Sequence, residues 1–307
     1  MTPLADCAAV TRTFGPVVAV DRVDLQVGPG EVVGLLGANG AGKTTLIKLL
    51  LGLMRASAGQ VRLFGRPPSR QTRRRIGYVP QDLGLYDDLT VAQNLAFARS
   101  VFGGPAPALP ASLRPFAQTL VGALPLGVAR RAAFTEALAH RPDLLILDEP
   151  TSGVDPLARA RLWETIQDAA EAAAGVIVTT HYMEEAEECT RLVVMAAGRV
   201  VAEGTAAGIV GDRRTAVVDT GDWAATARLI EAAGLPAVLA GTSLRVPGHH
   251  PATVQRALAG PGPGAAGPDS AAAAPPAGPV LARVHEEPAT LEERFFELAQ
   301  QALPSAS

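Results

Sequence analysis

Two short stretches carry residues that do phosphate chemistry. Residues 34–45 read G-L-L-G-A-N-G-A-G-K-T-T, which satisfies the spacing G-x-x-x-x-G-K-[ST] with Gly37, Gly42, Lys43 and Thr44. Glycines let the backbone N–H groups of such a loop converge on phosphate oxygens, and the start of a following helix adds positive potential. Lys43 can bridge terminal phosphates, and the Thr44 hydroxyl suits Mg2+. The candidate phosphate-binding residues are therefore Gly37, Ala38, Asn39, Gly40, Ala41, Gly42, Lys43, Thr44 and Thr45. A glycine-rich turn without a ligand is the plainer alternative, and an apolar strand before it with a helix after it argues against that.

The second stretch is L-L-I-L-D-E-P at 144–150. Four apolar residues deliver Asp148 and Glu149 to the end of a strand, where carboxylates can meet a metal-bound nucleotide. Asp148 would hold Mg2+ through water. Glu149 would orient or deprotonate an attacking water, a role worth roughly 10²- to 10⁴-fold in rate. The competing reading is a solvated pair of acids at a strand end.

These residues need strands to position them. The runs E-V-V-G-L-L-G, L-L-I-L-D-E-P and A-G-V-I-V-T-T-H are apolar without strict alternation, as strands covered on both faces are. R-L-V-V-M-A-A-G-R-V-V-A-E-G repeats the pattern with a turn at Gly198. Short β-rich runs alternate with helical segments over residues 1–210, which predicts an α/β sheet with helices packed on it. Beyond residue 211 the texture changes to a small strand-and-helix unit, a second domain over 211–307. Its Pro/Ala/Gly tract near 260–279 has too few large apolar residues to offset its ordering entropy and reads as a linker. The closing segment regains helical periodicity, with Leu291, Phe295 and Leu298 on one face.

The 307 residues are 48% hydrophobic and carry a formal net charge of −3, so sizeable cores are available and no global basic field exists. That argues against a dedicated nucleic-acid binder. Cys7 and Cys189 are too few and too far apart for a disulfide framework or a zinc cluster, and both read as structural thiols in a reducing compartment. No apolar run approaches the ~18 residues of a spanning helix.

With both stretches in view, residues 4–210 resemble the ATP-binding cassette (ABC) family, whose further motifs fall in order. Phe14 lies where the family stacks an aromatic ring on adenine. Gln81, in I-G-Y-V-P-Q-D-L-G-L-Y-D-D-L-T, matches the loop that senses the γ-phosphate and faces a membrane partner. Ser152 to Asp155 match the loop that crosses a dimer interface, and His181 matches the switch histidine. The resemblance implies Glu149, His181 and Gln81 as catalytic residues, with Mg2+ among Thr44, Gln81 and, through water, Asp148. His140, His249, His250 and His285 lack such context and read as surface or structural.

The family's signature, usually L-S-G-G-Q, should fall at L-P-L-G-V-A-R-R, residues 124–131. Leu124, Gly127, Arg130 and Arg131 fit. Pro125 replaces serine, Leu126 the first glycine and Val128 glutamine. The missing hydroxyl would have bonded a charged oxygen, worth about 1.5–3 kcal/mol. Proline suits the first turn of a helix, so the N–H groups of Leu126, Gly127 and Val128 are expected still to face an anion. L-P-L-G also resembles the variant signature of some ATP-binding subunits of ABC-2 type exporters, as do the segments around His181 and at the C-terminus. Between Gln81 and Leu124 the chain is shorter than the family's, with room for helices near 90–101 and 111–122 split by G-G-P-A-P-A-L-P.

The resemblance thus implies the P-loop NTPase fold of ABC ATPases, with an antiparallel β subdomain, a shortened helical subdomain and a small α+β C-terminal domain. It implies a subunit that binds and hydrolyses MgATP, with Pro125, Leu126, Gly127 and Asp155 reaching nucleotide across a head-to-tail dimer with a second cassette. It also implies a separate ABC-2 type transmembrane permease, a position on the cytoplasmic face of the membrane, and export of a drug or other small amphipathic compound. The competing reading is a catalytically weakened regulatory or structural subunit pairing with a second cassette. Related ATPases of DNA repair would need a long coiled-coil insertion where this chain has a deletion.

Overall fold

The computed structural model describes residues 2–103, 109–259 and 282–302. In chain order the first part comprises β1 (Ala5–Phe14), β2 (Val17–Val27), β3 (Val32–Leu36), α1 (Lys43–Leu50), β4 (Ala58–Leu63), α2 (Arg70–Arg73), β5 (Ile76–Val79), α3 (Val91–Phe102) and α4 (Leu126–Leu138). It continues with β6 (Leu144–Asp148), α5 (Pro156–Glu171), β7 (Gly175–Thr180), α6 (Met183–Glu187), β8 (Arg191–Ala196), β9 (Arg199–Gly204) and α7 (Ala206–Val210). The second part comprises β10 (Arg214–Thr220), α8 (Trp223–Ala232), β11 (Val238–Ala240), β12 (Ser243–Val246), α9 (Pro251–Leu258), β13 (Ala282–Pro288) and α10 (Leu291–Ala302).

β3, β6 and β7 are buried along their whole length, which is why their sequences run apolar without alternation. They stand side by side in a six-stranded sheet of order β5-β6-β7-β3-β8-β9. The first five strands are parallel and β9 returns antiparallel through a turn at Ala197 and Gly198, both with positive φ. Parallel pairing puts the carboxyl ends of β3, β6 and β7 on one edge, where Gly37, Glu149 and His181 follow. A separate antiparallel sheet of order β2-β1-β4 packs with α1 on a core that includes Val10, Val20, Leu46, Ile47 and Leu63.

The chain divides into two compact units, one up to Ala206 and one over Ala207–Gln301, so that all of α7 but its first residue belongs with the second. The second is an antiparallel sheet of order β11-β12-β10-β13. Its chain order βαββαβ is that of a split-βαβ sandwich, with α8 and α9 burying Ile230 and Val254 against Ala216, Val218, Leu244 and Val246. In α10, Leu291 and Leu298 are buried and Phe295 partly so. The Pro/Ala/Gly tract lies outside the described residues.

The helix expected near 90–101 is α3, started by Thr90, whose hydroxyl accepts from Gln93 in a reciprocal capping box. The helix expected near 111–122 is absent: Arg114–Phe116 and Val121–Ala123 form short 3-10 turns instead. Pro110, Pro115 and Gly122 disfavour an α-helix there, and the carbonyls of Ala117 and Thr119 accept from the first N–H groups of α3, Ala92 and Val91. That backbone is used to cap a neighbouring helix. Cys7 and Cys189 are both buried, and burial pushes each thiol up to about 12. Of the contextless histidines, His140 stacks on Phe102 at 4.1 Å, His250 caps α9, and His249 and His285 bond groups of their own unit.

Candidate functional site

Between β3 and α1 the chain makes a tight loop that only glycine permits at two points. Gly42 caps α1 at φ +103°, and a Cβ there would stand 2.4 Å from the Ala19 carbonyl of β2. A Cβ on Gly37 would stand 2.6 Å from the Met195 carbonyl of β8. Lys43, 5% exposed, folds its ammonium back onto the carbonyls of Gly37 (2.6 Å) and Ala38 (3.3 Å). Burial lowers its pKa, against the opposing pull of the Glu149 and Asp148 carboxylates. Asn39 and Gly40 form the exposed tip, whereas the N–H of Ala41 is turned inward to the Ala38 carbonyl. Thr44 and Thr45 continue the first turn of α1, partly exposed.

The end of β6 separates the two acids. Asp148 is 2% exposed, and its Oδ1 accepts from the hydroxyls of Thr179 (2.7 Å) and Thr44 (3.3 Å). Glu149 adopts φ +50°, held by its N–H donating to the Thr179 hydroxyl at 2.8 Å. A non-glycine residue in this region costs on the order of 1–3 kcal/mol, and here it turns the Glu149 carboxylate away from Asp148's partners. That carboxylate meets Lys43 Nζ at 3.9 Å, His181 Nδ1 at 3.8 Å and the Gln81 amide, which donates at 3.4 Å. Gln81, Lys43, Thr44, Asp148, Glu149 and His181 are thus one cluster. Thr179, which orients both acids, was missed by motif reading, since its place opposite Asp148 emerges only with the strand register.

The donors around Asp148 suit a hard cation. Thr44 and Asp148 offer an alcohol and a carboxylate oxygen beside the phosphate loop, the few-ligand oxygen set that Mg2+ shares with phosphates.

Pro125, Leu126 and Gly127 form a second group. Pro125 caps the start of α4, at φ −57° and ψ 142°, immediately before the first helical residue Leu126. Its carbonyl therefore accepts from Val128 (2.8 Å) and Ala129 (3.0 Å), so the Val128 N–H expected to face an anion is already bonded. Leu126 and Gly127 carry the remaining first-turn donors, which have no intrahelical acceptor. Leu126 is 44% exposed and lies against Gly153; Gly127 faces Asp155 and Ala158. Asp155 caps α5 by accepting from Ala158 at 2.9 Å. Arg130 is 4% exposed and donates to the carbonyls of Glu149, Pro150 and Ser152, a bracing role that its place among basic residues did not reveal. Phe14 is exposed at the end of β1, and the Arg12 guanidinium covers its ring at 4.6 Å.

Between α2, α3 and α4 lies a groove of about 510 Å³ with Leu53, Val101 and Phe102 on its walls. Glu136 and His140 stand at its base, and burial raises the Glu136 carboxyl to about 7. Among the described residues, no helix is long and apolar enough to cross a membrane.

The family profile described as ABC transporter matches residues 20–152. The chain is 43% identical over 212 residues to the Nod factor export ATP-binding protein I of Burkholderia lata, covering 65% of this chain and 70% of that protein. It is 42% identical over 208 residues to the probable multidrug ABC transporter ATP-binding protein YbhF of Escherichia coli, covering 64% of this chain and only 36% of that one. The chain thus spans about a third of the length of YbhF. Among solved structures, an ATP-binding subunit of an ABC transporter is 30% identical with a TM-score of 0.63, covering 67% of this chain and 91% of that one. The dimeric cassette MJ0796, in a post-hydrolysis state with ADP and Pi, is 23% identical with a TM-score of 0.59 over 66% of this chain and 98% of that one, a likeness of fold. By its motifs, its architecture and these relatives, the chain belongs to the ABC transporter family, of which it carries the ATP-binding domain.

Proposed function

We propose that this chain hydrolyses MgATP to power export through a separate membrane subunit. The observation that carries the reading is the division of labour at the end of β6. Asp148 is committed to Thr44 beside the phosphate loop, while Glu149 is turned toward Lys43, Gln81 and His181. Gly37 to Gly42 and Lys43 hold the terminal phosphates. Thr44, Gln81 and, through water, Asp148 would hold Mg2+, which would supply neutralisation of charge on the transferred phosphoryl group. Glu149 accepts the proton of the attacking water, and His181 and Gln81 fix that water and the γ-phosphate from either side. Phe14, backed by Arg12, offers the adenine a stacking face.

Pro125, Leu126, Gly127 and Asp155 stand apart from this cluster, which supports their reaching the nucleotide held by a second cassette across a head-to-tail dimer. The apolar groove beside α3 supports docking of an ABC-2 type permease, and with it a position on the cytoplasmic face of the membrane. Residues 211–307 form an accessory domain on this reading. The names of the relatives, a Nod factor exporter and a multidrug transporter, support export of a small amphipathic compound.

A second reading, a weakened regulatory subunit, is favoured by the missing serine and the bonded Val128 N–H. Phosphate release from ATP by the purified full chain, with and without Mg2+, separates the two. The first reading expects Mg2+-dependent turnover that Lys43→Ala removes; no turnover alone, restored by a partner cassette, favours the second.

A further inference from the structure

Glu185, in α6, is 2% exposed yet lies outside the cluster around Glu149. Its two carboxylate oxygens are divided between two chain segments. Oε1 accepts from the Thr151 hydroxyl at 2.5 Å, and Oε2 accepts from the Thr180 hydroxyl at 2.7 Å. Both threonines are 1% exposed. Thr151 follows Glu149 by two residues, and Thr180 immediately precedes His181.

The surroundings extend the tie on both sides. Arg159 of α5 stands 3.3 Å from Glu185 Oε1, with its guanidinium 4.7 Å from the Tyr182 ring. The Tyr182 N–H donates to the Thr180 hydroxyl at 3.0 Å, and its ring lies 4.2 Å from that of His181. Arg130, from α4, holds the carbonyls of Glu149, Pro150 and Ser152. The loop leaving Glu149 is therefore gripped from the signature side by Arg130 and from the His181 side by Glu185.

A buried carboxylate is costly unless each oxygen is satisfied, and apolar side chains of similar volume would fill the same space. What such side chains could not do is fix the directions of two hydroxyls at once. We propose that Glu185 is a positioning residue that joins the Glu149 loop to the His181 strand end, so that the two groups are set as one unit. The proposal rests on the reading that Glu149 and His181 act on bound MgATP.

Removing the hydroxyls one at a time tests the tie without opening a cavity. Thr151→Val and Thr180→Val are made in the full chain, singly and together, beside Thr151→Ser and Thr180→Ser. Deuterium exchange of residues 149–155 and 180–183 is followed without nucleotide, and kcat and KM for MgATP are measured. Each valine variant is expected to raise exchange in both segments and to lower kcat about tenfold, with KM within about twofold and the double variant no worse than the singles. The serine variants behave as wild type. Exchange that rises only beside the substituted residue, or kcat losses that multiply in the double variant, would overturn the proposal. A wild-type chain that turns over no ATP would instead sink the functional reading, and the exchange data would still decide the tie.

Discussion

The Lys43 ammonium stands 3.9 Å from the Glu149 carboxylate, with only 5% and 13% of the two side chains exposed. An incoming triphosphate must take Lys43 over from Glu149 and from the carbonyls of Gly37 and Ala38. Neutralising the acid removes both a competitor for Lys43 and a like charge beside the phosphates. Glu149→Gln is predicted to tighten ATP binding by about three- to tenfold, measured by equilibrium titration. Unchanged or weaker binding would mean that the two charges do not communicate.

Pro125 is the cap of α4 and supplies no side-chain acceptor or donor. Serine at that position provides a preferred cap and restores a hydroxyl toward the anion. Since only Leu126 and Gly127 retain unbonded first-turn donors, Pro125→Ser should raise the rate of ATP hydrolysis by up to about tenfold and stabilise the chain by about 1 kcal/mol. Equal rates would show that the backbone N–H groups suffice.

Arg130 is buried with three carbonyl acceptors from the Glu149 loop. Arg130→Met keeps most of the apolar stem and strips those acceptors of their donor. A loss of about 2–4 kcal/mol in urea unfolding is predicted, and Arg130→Lys should recover only part of it because an ammonium lacks the planar fork. Full recovery with lysine would show that charge alone matters there.

Glu136 is raised from 4.5 to about 7 by burial at the base of the groove beside α3. For an acid whose folded pKa lies above its unfolded one, the folded state binds the extra proton. That stability is fully present below 4.5 and is lost as pH rises through about 7. Glu136→Gln should match wild type near pH 4.5 and exceed it by about 1–3 kcal/mol at pH 8, read from unfolding curves across pH. A constant difference over that range would remove Glu136 as its source.

The phosphate loop, the acid pair and the strands bearing them were legible because each is a local pattern: an apolar run, then a glycine-rich or acidic turn. Gln81 and His181 were legible only by order along the chain, yet both reach the Glu149 carboxylate. Thr179, Arg130 and Glu185 were invisible, since a threonine in a strand or an arginine on a helix gains its role only from what lies across the sheet. The helix expected near 111–122 failed for the same reason in reverse: its backbone is spent on the first turn of α3. Pro125 was legible as the start of α4, whereas the bond from the Val128 N–H to its carbonyl was not.

The central claim is that Glu149 performs the hydrolytic step on MgATP held by the phosphate loop. Phosphate release by the full chain at saturating MgATP, compared between wild type and Glu149→Gln, tests it most directly. The account predicts a fall of at least about 100-fold with nucleotide still bound. A rate within twofold of wild type would contradict it and place the proton acceptor elsewhere.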